Sequence, residues 1–152
     1  MTTLATAHAT STAEPAAFFA RWADMATWPQ WNLDTEWVRL DGPFVAGATG
    51  TLKPKGGPTV SFVIERLVEG REFVDTSRLL GARLTFDHQV SRTPGGTAVT
   101  VTVSMSGPLA RVWTLILGRD IAATLQGDLD RLVEVAENPE GAERVGMAEG
   151  AL

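Results

Sequence analysis

The stretch from Thr97 to Glu137 decides the fold, and it reads TAVTVTVSMS, then GP, then LARVWTLILGRDIAATLQGDLDRLVEVAE. Up to Ser106, Val and Met alternate with Thr and Ser, as in a β-strand with one buried and one solvated face. After Gly107-Pro108, apolar residues recur at helical spacing for about eight turns, a length of about 40 Å. The stretch therefore predicts a one-sided sheet that is covered by one long C-terminal helix.

The residues before this stretch predict the remainder of an antiparallel sheet. Residues 3–12 are rich in Thr and small side chains and indicate a first strand. A helix opens at Glu14-Pro15, where Pro suits the first helical turn, and a second short helix is expected before Pro29. Short segments separated by Gly/Pro turns then predict five more strands, at residues 36–40, 48–53, 59–67, 72–80 and 82–92.

Length and composition place these elements in one domain. The chain has 152 residues, of which 44% are hydrophobic and 20% are charged, and this suits a single packed core. We assign residues 1–137 to one ligand-binding domain of the α+β class. The tail, residues 138–152, is rich in Gly, Glu and Ala, and we expect it to be flexible.

Alternation along the strands predicts a concave apolar face on the sheet. One helix covers such a face incompletely, so a cavity is expected between the two. Asp75 and Asp87 are assigned to the opposite face or to neither face. The side chains predicted to line the cavity are Trp37, Val60, Phe62, Ile64, Leu84, Phe86, His88, Val99, Val101, Val103, Trp113, Ile116 and Leu117.

Charge and composition argue against several classes of function. The net charge is −5 and Lys and Arg are scattered, which does not suit a nucleic-acid-binding face. The absence of Cys excludes disulfides and thiolate chemistry and favours a cytoplasmic setting. No apolar run is long enough to insert across a bilayer, and no secretory signal is recognisable. Neither a cofactor nor a metal site is predicted, since the spacing of His8 and His88 supports no ligand set.

His88 is the candidate catalytic residue. It lies among the inward-facing apolar side chains of residues 82–92 and can titrate near neutral pH, so it suits an acid, a base or a hydrogen-bond donor to a ligand. The alternative is a core histidine that is bonded to a neighbour. The chain has no Tyr, and no Ser-His-Asp set or carboxylate pair can be assembled from the sequence.

Two aromatic features have open interpretations. Trp28 and Trp31, in the turn WPQW, either line a ligand entrance or close the open side of the sheet as a structural plug, and the plug is favoured. Trp113 lies on the apolar stripe of the long helix near its start. It is interpreted either as a core residue or as part of the cavity wall.

Short sequence motifs occur in a recognisable order along residues 3–137. They are Ala13-Glu14-Pro15, Trp22 with Asp24, Trp28-Pro29-Gln30-Trp31-Asn32, Gly42-Pro43-Phe44 before Gly47, Gly95-Gly96-Thr97, Gly107-Pro108-Leu109, and Leu129, Leu132 and Glu137. In this order the chain resembles the polyketide cyclase/dehydrase branch of the START-like, Bet v 1-like (SRPBCC) superfamily. The resemblance implies a helix-grip fold, in which a curved antiparallel sheet wraps around a long C-terminal helix and two short helices join the first and second strands. It also implies a cavity for an apolar or aromatic molecule, and it leaves catalysis open.

Three functions follow as hypotheses. The first is binding of a hydrophobic polyketide-, lipid- or aromatic-like small molecule, with or without polyketide cyclase/dehydrase-like chemistry that uses His88 for proton transfer. The second is a non-enzymatic carrier or sensor of a lipid-like ligand, which the scarcity of acid and base groups favours. The third is a protein-interaction module that forms a homodimer through the Trp-rich turn.

Overall fold

The structure is a computed structural model that describes residues 1–138, and this part of the chain contains seven strands and two α-helices. Residues 139–152 of the predicted tail lie outside the described residues. The elements, in chain order, are β1 (Thr2–Ser11), α1 (Pro15–Ala23), a 3-10 helix (Met25–Gln30), β2 (Thr35–Leu40), β3 (Thr49–Pro54), β4 (Val60–Val68), β5 (Glu72–Leu79), β6 (Ala82–Thr93), β7 (Gly96–Ser106) and α2 (Ala110–Glu137).

All seven strands form one antiparallel sheet in the order β1-β7-β6-β5-β4-β3-β2. Strands that follow one another pair directly from β2 to β7, as the Gly/Pro turns predict, and β1 pairs with β7. The register of β4 against β5 shifts between Ile64 and Arg66, and such a bulge increases the local bend of the sheet. The sheet curls around α2, so the predicted helix-grip fold and α+β class are confirmed.

Helix α2 is fully buried only in its C-terminal half, whereas Trp113, Leu117 and Ile121 of its N-terminal half are half-buried against the core. Its buried side chains are Leu125, Leu129, Leu132 and Ala136. The end of the helix is fixed by Glu137, whose Oε2 accepts hydrogen bonds from Ser11 Oγ at 2.6 Å and from the Thr12 backbone N–H at 3.2 Å. The link between β1 and α1 therefore holds this end of α2 over the concave face.

The concave face carries most of the core. On β7 the side chains of Val99, Val101, Val103 and Met105 are buried, as the alternation of the sequence predicts. Trp22 of α1 is fully buried and packs against this side of the sheet through Phe73 and His88. The core thus includes a layer of aromatic side chains between the sheet and the helices.

Candidate ligand cavity

A cavity of about 80 Å³ lies between the concave face of the sheet and the C-terminal half of α2. Its wall is mainly apolar, as is usual for a site that takes a small organic molecule. Every layer of the fold contributes to it: Trp22 from α1; Trp28, Trp31 and Asn32 from the Trp-rich turn; Leu52, Phe62, Asp75, Ser77, Phe86, His88 and Val101 from the sheet; and Leu125, Asp128, Leu129 and Leu132 from α2.

His88 is buried on the cavity wall and is neutral in the folded protein. Its Nδ1 lies 2.8 Å from the carbonyl oxygen of Phe73, which can only accept, so Nδ1 carries the proton and Nε2 is an acceptor. Burial lowers the pKa of His88 from 6.5 to about 4, although the hydrogen bond to Phe73 and the charge of Asp87 oppose this shift. The imidazole also stacks on the ring of Phe73, with centroids 4.9 Å apart.

Asp75 places a carboxyl group on the same wall. The residue is buried, and no group within residues 1–138 hydrogen-bonds its side chain. Burial raises the pKa of this carboxyl from 3.8 to about 8, so it is mostly protonated at neutral pH. Asp75 pairs with Phe86, and Phe73 pairs with His88, so Asp75 and His88 are diagonal neighbours on the same face, and such residues lie about 7–8 Å apart. The wall therefore presents a neutral acid near a neutral base.

Three indoles form the aromatic side of the cavity. The ring centroid of Trp22 lies 5.1 Å from that of Phe19 and 4.9 Å from that of His88. Trp28 lies 5.5 Å from Trp31 and donates its Nε1–H to the carbonyl oxygen of Trp22 at 3.2 Å. The Nε1–H groups of Trp22 and Trp31 are buried without a partner among the described residues. Each such donor costs about 1–3 kcal/mol relative to a satisfied one.

A hydrogen bond from Arg131, which is paired with Asp128 of the same helix, connects α2 to the Trp-rich turn. Arg131 pairs with Asp128 and also donates from Nε to the carbonyl oxygen of Trp31 at 3.0 Å. Burial raises the pKa of Asp128, and the Arg131 guanidinium opposes part of that rise. We call Asp128, Arg131 and Trp31 the clasp, since together they join the helix to the turn at the cavity wall.

The predicted cavity residues fall into three groups in the structure. Phe62, Phe86, His88 and Val101 lie on the wall. Five others lie on the same face of their strands but beside the wall: Val60, Ile64, Leu84, Val99 and Val103. Whether any residue of these two groups contacts a ligand stays a prediction.

The third group lies away from the wall. Trp37 is 37% exposed on the outer face of β2, because its neighbour Val38 takes the inward position. Trp113, Ile116 and Leu117 belong to the N-terminal half of α2, whereas the cavity is covered by residues 125–132. Ile116 is 58% exposed, so the expectation that it faces the sheet is wrong. The cause is the length of α2, which extends beyond the cavity that it covers.

The sequence did not predict that Asp75 and the C-terminal half of α2 form part of the cavity wall. On β5, Phe73 and Val74 are both apolar, so alternation does not show whether the odd-numbered or the even-numbered residues face inward. In the structure the odd-numbered residues Phe73, Asp75 and Ser77 face inward. This corrects the assignment of Asp75 to the opposite face or to neither. On α2 the apolar stripe includes the buried leucines, but its spacing does not show which turns lie over the sheet.

The burial of the Trp-rich turn agrees with the plug interpretation, and the role of the turn as a ligand entrance stays a prediction. Trp28 and Trp31 are only 6% and 7% exposed, as a structural plug requires, and yet both rings line the cavity. Side chains this buried offer little surface to a second protein. The structure therefore does not favour the interaction-module hypothesis.

The polar side chains on the cavity wall can form hydrogen bonds and exchange protons. Within residues 1–138, no three His, Asp or Glu side chains cluster closely enough to hold a metal ion. His8 is exposed on β1, where its Nδ1 lies 3.1 Å from the hydroxyl of Thr100. Among the lining residues, the polar groups that remain for a bound molecule are those of Asp75, Ser77, His88 and Asn32 and the indole Nε1–H groups of Trp22 and Trp31.

A curled antiparallel sheet that grips a long C-terminal helix over a small apolar cavity defines the Bet v 1-like class of proteins. Ara h 8.0201 has this fold, with a TM-score of 0.65 at 17% identity over 86% of this chain and 95% of that one. The protein jhp0584 from Helicobacter pylori is similar with a TM-score of 0.70 at 12% identity, over 87% and 86% of the two chains. DynU16, from the dynemicin biosynthetic locus, has a TM-score of 0.67 at 14% identity, over 89% of this chain and 47% of its own. At these identities the likeness shows the fold alone.

The chain belongs to the family described as polyketide cyclase/dehydrase and lipid transport, which matches residues 2–137. This confirms the polyketide cyclase/dehydrase branch of the superfamily, which the short sequence motifs indicate. No curated protein matches the sequence.

Proposed function

We propose that the protein binds a hydrophobic small molecule that carries a carbonyl or hydroxyl oxygen, in the cavity between the sheet and α2. The observation that carries this proposal is a pair of polar groups, Asp75 and the Nε2 side of His88, on a mainly apolar wall. Burying an unpaired polar group costs about 1–3 kcal/mol. A ligand oxygen that hydrogen-bonds Asp75 or His88 recovers part of this cost. The apolar part of the ligand contributes about 25 cal/mol for each Å² that it removes from water.

A ligand of that kind requires the cavity to enlarge. Sites for drug-sized molecules usually measure about 300–1,000 Å³, whereas this cavity measures about 80 Å³. The rings of Trp22, Trp28 and Trp31 occupy one side of it. A polyketide- or lipid-sized molecule therefore has to displace the Trp-rich turn, and the clasp is the connection to α2 that resists this displacement.

Blocking the cavity tests the binding proposal. Ser77→Leu adds an aliphatic side chain to the cavity wall, and Ser61→Leu adds the same side chain at an exposed position of β4. We expect the affinity for Nile red, a neutral apolar probe, to fall about tenfold or more in Ser77→Leu because the probe loses the space it needs. The matched Ser61→Leu control should bind like the wild type. Equal affinity in all three proteins would place the probe elsewhere and refute the proposal.

A second function, acid–base catalysis on the bound molecule, is favoured by the pKa of Asp75. A pKa of about 8 lets this carboxyl both give and take a proton near neutral pH. His88, with a pKa of about 4, is a weak base. We therefore propose Asp75 rather than His88 for proton transfer, with His88 Nε2 accepting a hydrogen bond from a ligand hydroxyl. This arrangement suits loss of water from a β-hydroxy carbonyl compound: the ionised form of Asp75 takes the proton from the carbon next to the carbonyl group, the bond from carbon to the hydroxyl breaks, and Asp75 returns the proton to the departing hydroxyl, which leaves as water.

Native mass spectrometry of protein purified from its host separates the carrier from the enzyme. An unmodified bound molecule supports a carrier, and a bound molecule together with its dehydrated or cyclised product supports an enzyme. With that molecule in hand, Asp75→Asn should keep binding within a few-fold and lose turnover. Unchanged turnover in Asp75→Asn would remove Asp75 from the chemistry without affecting the binding proposal.

A further inference from the structure

Five aliphatic side chains are exposed at the end of the molecule where α2 begins. Leu80 lies at the tip of the β5–β6 hairpin and is 80% exposed; Leu115 lies on the outer face of α2 and is 87% exposed. Surface apolar residues are ordinary when they are scattered, but a contiguous group marks an interaction site. We call these five residues the aliphatic patch: Leu80, Leu109, Val112, Leu115 and Ile116.

The hairpin and the helix present the aliphatic patch as one preformed surface. The indole Nε1–H of Trp113 donates to the carbonyl oxygen of Leu80 at 2.8 Å, and the backbone N–H of Leu109 donates to the carbonyl oxygen of Gly81 at 2.9 Å. Gly81 has a φ of +71°, and a Cβ at this position would lie 2.7 Å from the side chain of Leu109. These contacts tie the tip of the hairpin to the first turn of α2.

Four arginines flank the aliphatic patch. Arg78 and Arg83 face each other across the β5–β6 hairpin next to Leu80, on the convex side of the sheet, and Arg111 and Arg119 lie one helical turn before and after Leu115 on the outer face of α2. All four are exposed, and none forms an ion pair with another of the described residues. The nearest acid on this part of α2 is Asp120. In a chain whose net charge is −5, this end is locally basic.

The charges on α2 are opposite to those that would stabilise an isolated helix. The first turn contains Arg111 and no acidic residue, and the last turn contains no basic residue. The helix dipole favours the reverse arrangement, by about 0.3–1 kcal/mol for each charge. Helix stability therefore does not explain Arg111, whereas an anionic partner at this end of α2 would.

We infer that the aliphatic patch and its four arginines dock onto the surface of an anionic lipid bilayer. Protruding aliphatic side chains enter the acyl boundary while arginines remain with the phosphate groups, as in interfacial helices. No helix in the described part of the chain is long and apolar enough to cross a membrane, so this contact is peripheral. It is independent of the cavity ligand.

Two other occupants fit the observations less well. A symmetric contact between two copies would bring the four arginines of one copy against those of the other. The cores of protein interfaces are enriched in aromatic residues and Met, whereas the aliphatic patch contains only Leu, Val and Ile. Side chains as exposed as Leu80 and Leu115 also project beyond their surroundings, which suits a deformable lipid surface.

Vesicle co-sedimentation tests the inference with the full chain. We expect binding to vesicles of equimolar phosphatidylcholine and phosphatidylglycerol, little binding to phosphatidylcholine alone, and weaker binding as NaCl is added. Leu115→Ser should lower the partition coefficient about tenfold, and Arg111→Gln and Arg119→Gln about fivefold each. All three positions are exposed, so these variants should fold.

Matched controls come from the β4–β5 turn, at the other end of β5. Val68→Ser and Arg71→Gln change an exposed aliphatic and an exposed basic residue there, and vesicle binding should not change. Equal loss in these controls, or no binding to anionic vesicles, would overturn the inference. A Leu115-dependent dimer in sedimentation, or Leu115-dependent retention of an acidic protein without vesicle binding, would overturn it in favour of a protein partner. Nile red affinity should be unchanged in Leu115→Ser, which separates this test from that of the cavity.

Discussion

Asp75 and His88 give the free energy of unfolding opposite dependences on pH. Folding raises the pKa of Asp75 from 3.8 to about 8, so between these values the folded protein holds a proton that the unfolded chain has released. The free energy of unfolding then falls as pH rises, by about 1.4 kcal/mol per pH unit. Folding lowers the pKa of His88 from 6.5 to about 4, so between these values the unfolded chain holds the extra proton and the free energy of unfolding rises with pH.

The Asp75→Asn variant isolates these two effects. In the wild type the slopes of Asp75 and His88 oppose each other from about pH 4 to 6.5, and the fall due to Asp75 continues from 6.5 to about 8. The raised pKa of Asp128 adds to the fall above pH 3.8, equally in the wild type and in Asp75→Asn. Asp75→Asn should remove the part of the fall above pH 6.5 that is due to Asp75 and expose the rise below it. Urea unfolding at a series of pH values measures both slopes. Asp24→Asn, at an exposed position, serves as the control, and a fall above pH 6.5 that is as steep in Asp75→Asn as in the wild type would contradict the assignment.

At single residues, the sequence predicts burial better than it predicts chemistry. The alternation in β6 is unambiguous and places His88 inward, where it lies. The same alternation cannot show that Phe73 supplies a carbonyl oxygen to His88, because this contact depends on the pairing of β5 with β6. Asp75 was missed for a different reason: Phe73 and Val74 of its strand are both apolar, so alternation does not show which face is buried.

Among the elements, the clasp controls how firmly the Trp-rich turn is held. Arg131→Gln removes the guanidinium that bonds Trp31 and pairs with Asp128. We expect the free energy of unfolding to fall by about 1–3 kcal/mol, because a hydrogen bond to a charged group is lost and Asp128 loses its partner. We also expect Nile red to associate faster, since the turn moves more readily.

Stopped-flow mixing and urea unfolding measure these two effects, with Arg71→Gln as an exposed control. A variant that is destabilised but associates with the probe at the wild-type rate would show that the clasp stabilises the fold without limiting access to the cavity.

The bounds of the elements follow closely from periodicity, but their mutual placement does not. The apolar stripe of α2 runs through Trp113 and Leu117 as well as Leu129 and Leu132, and all of them look equivalent in the sequence. The hydrogen bond between Ser11 and Glu137 decides which helical turns of α2 cover the cavity. It joins two elements that are more than a hundred residues apart in the sequence. Contacts at that separation leave no local pattern in the sequence, so the predicted wall was shifted toward the start of the helix.

For the whole molecule, occupancy of the cavity should appear as thermal stability. A ligand present at about a hundredfold excess over its Kd adds about 2.7 kcal/mol to the free energy of unfolding. In a domain of this size that corresponds to a rise in Tm of about 5–10 °C. Protein purified from its host and the same protein after extraction of bound molecules should therefore differ by this amount in calorimetry. In Ser77→Leu the difference should be absent, and equal Tm values for the two wild-type preparations would contradict the proposal.

For the fold of the whole molecule, the order of the helices and strands is the most informative feature of the sequence. One strand, two short helices, six strands and a long helix already indicate a sheet that grips a helix, and short motifs such as Trp28-Pro29-Gln30-Trp31-Asn32 indicate the family. The size of the cavity could not be predicted in this way. It depends on how far the rings of Trp22, Trp28 and Trp31 fill the space, and residue types alone do not determine their positions.

The tryptophans of the cavity wall have an optical consequence. Three of the five tryptophans in the chain, Trp22, Trp28 and Trp31, line the cavity, and the chain contains no Tyr. Its near-ultraviolet emission therefore comes almost entirely from indoles, and most of these indoles surround the space that a ligand would occupy. A molecule that displaces the turn would change both the wavelength and the intensity of that emission. The protein thus contains its own spectroscopic reporter, and candidate ligands can be screened against it without any label.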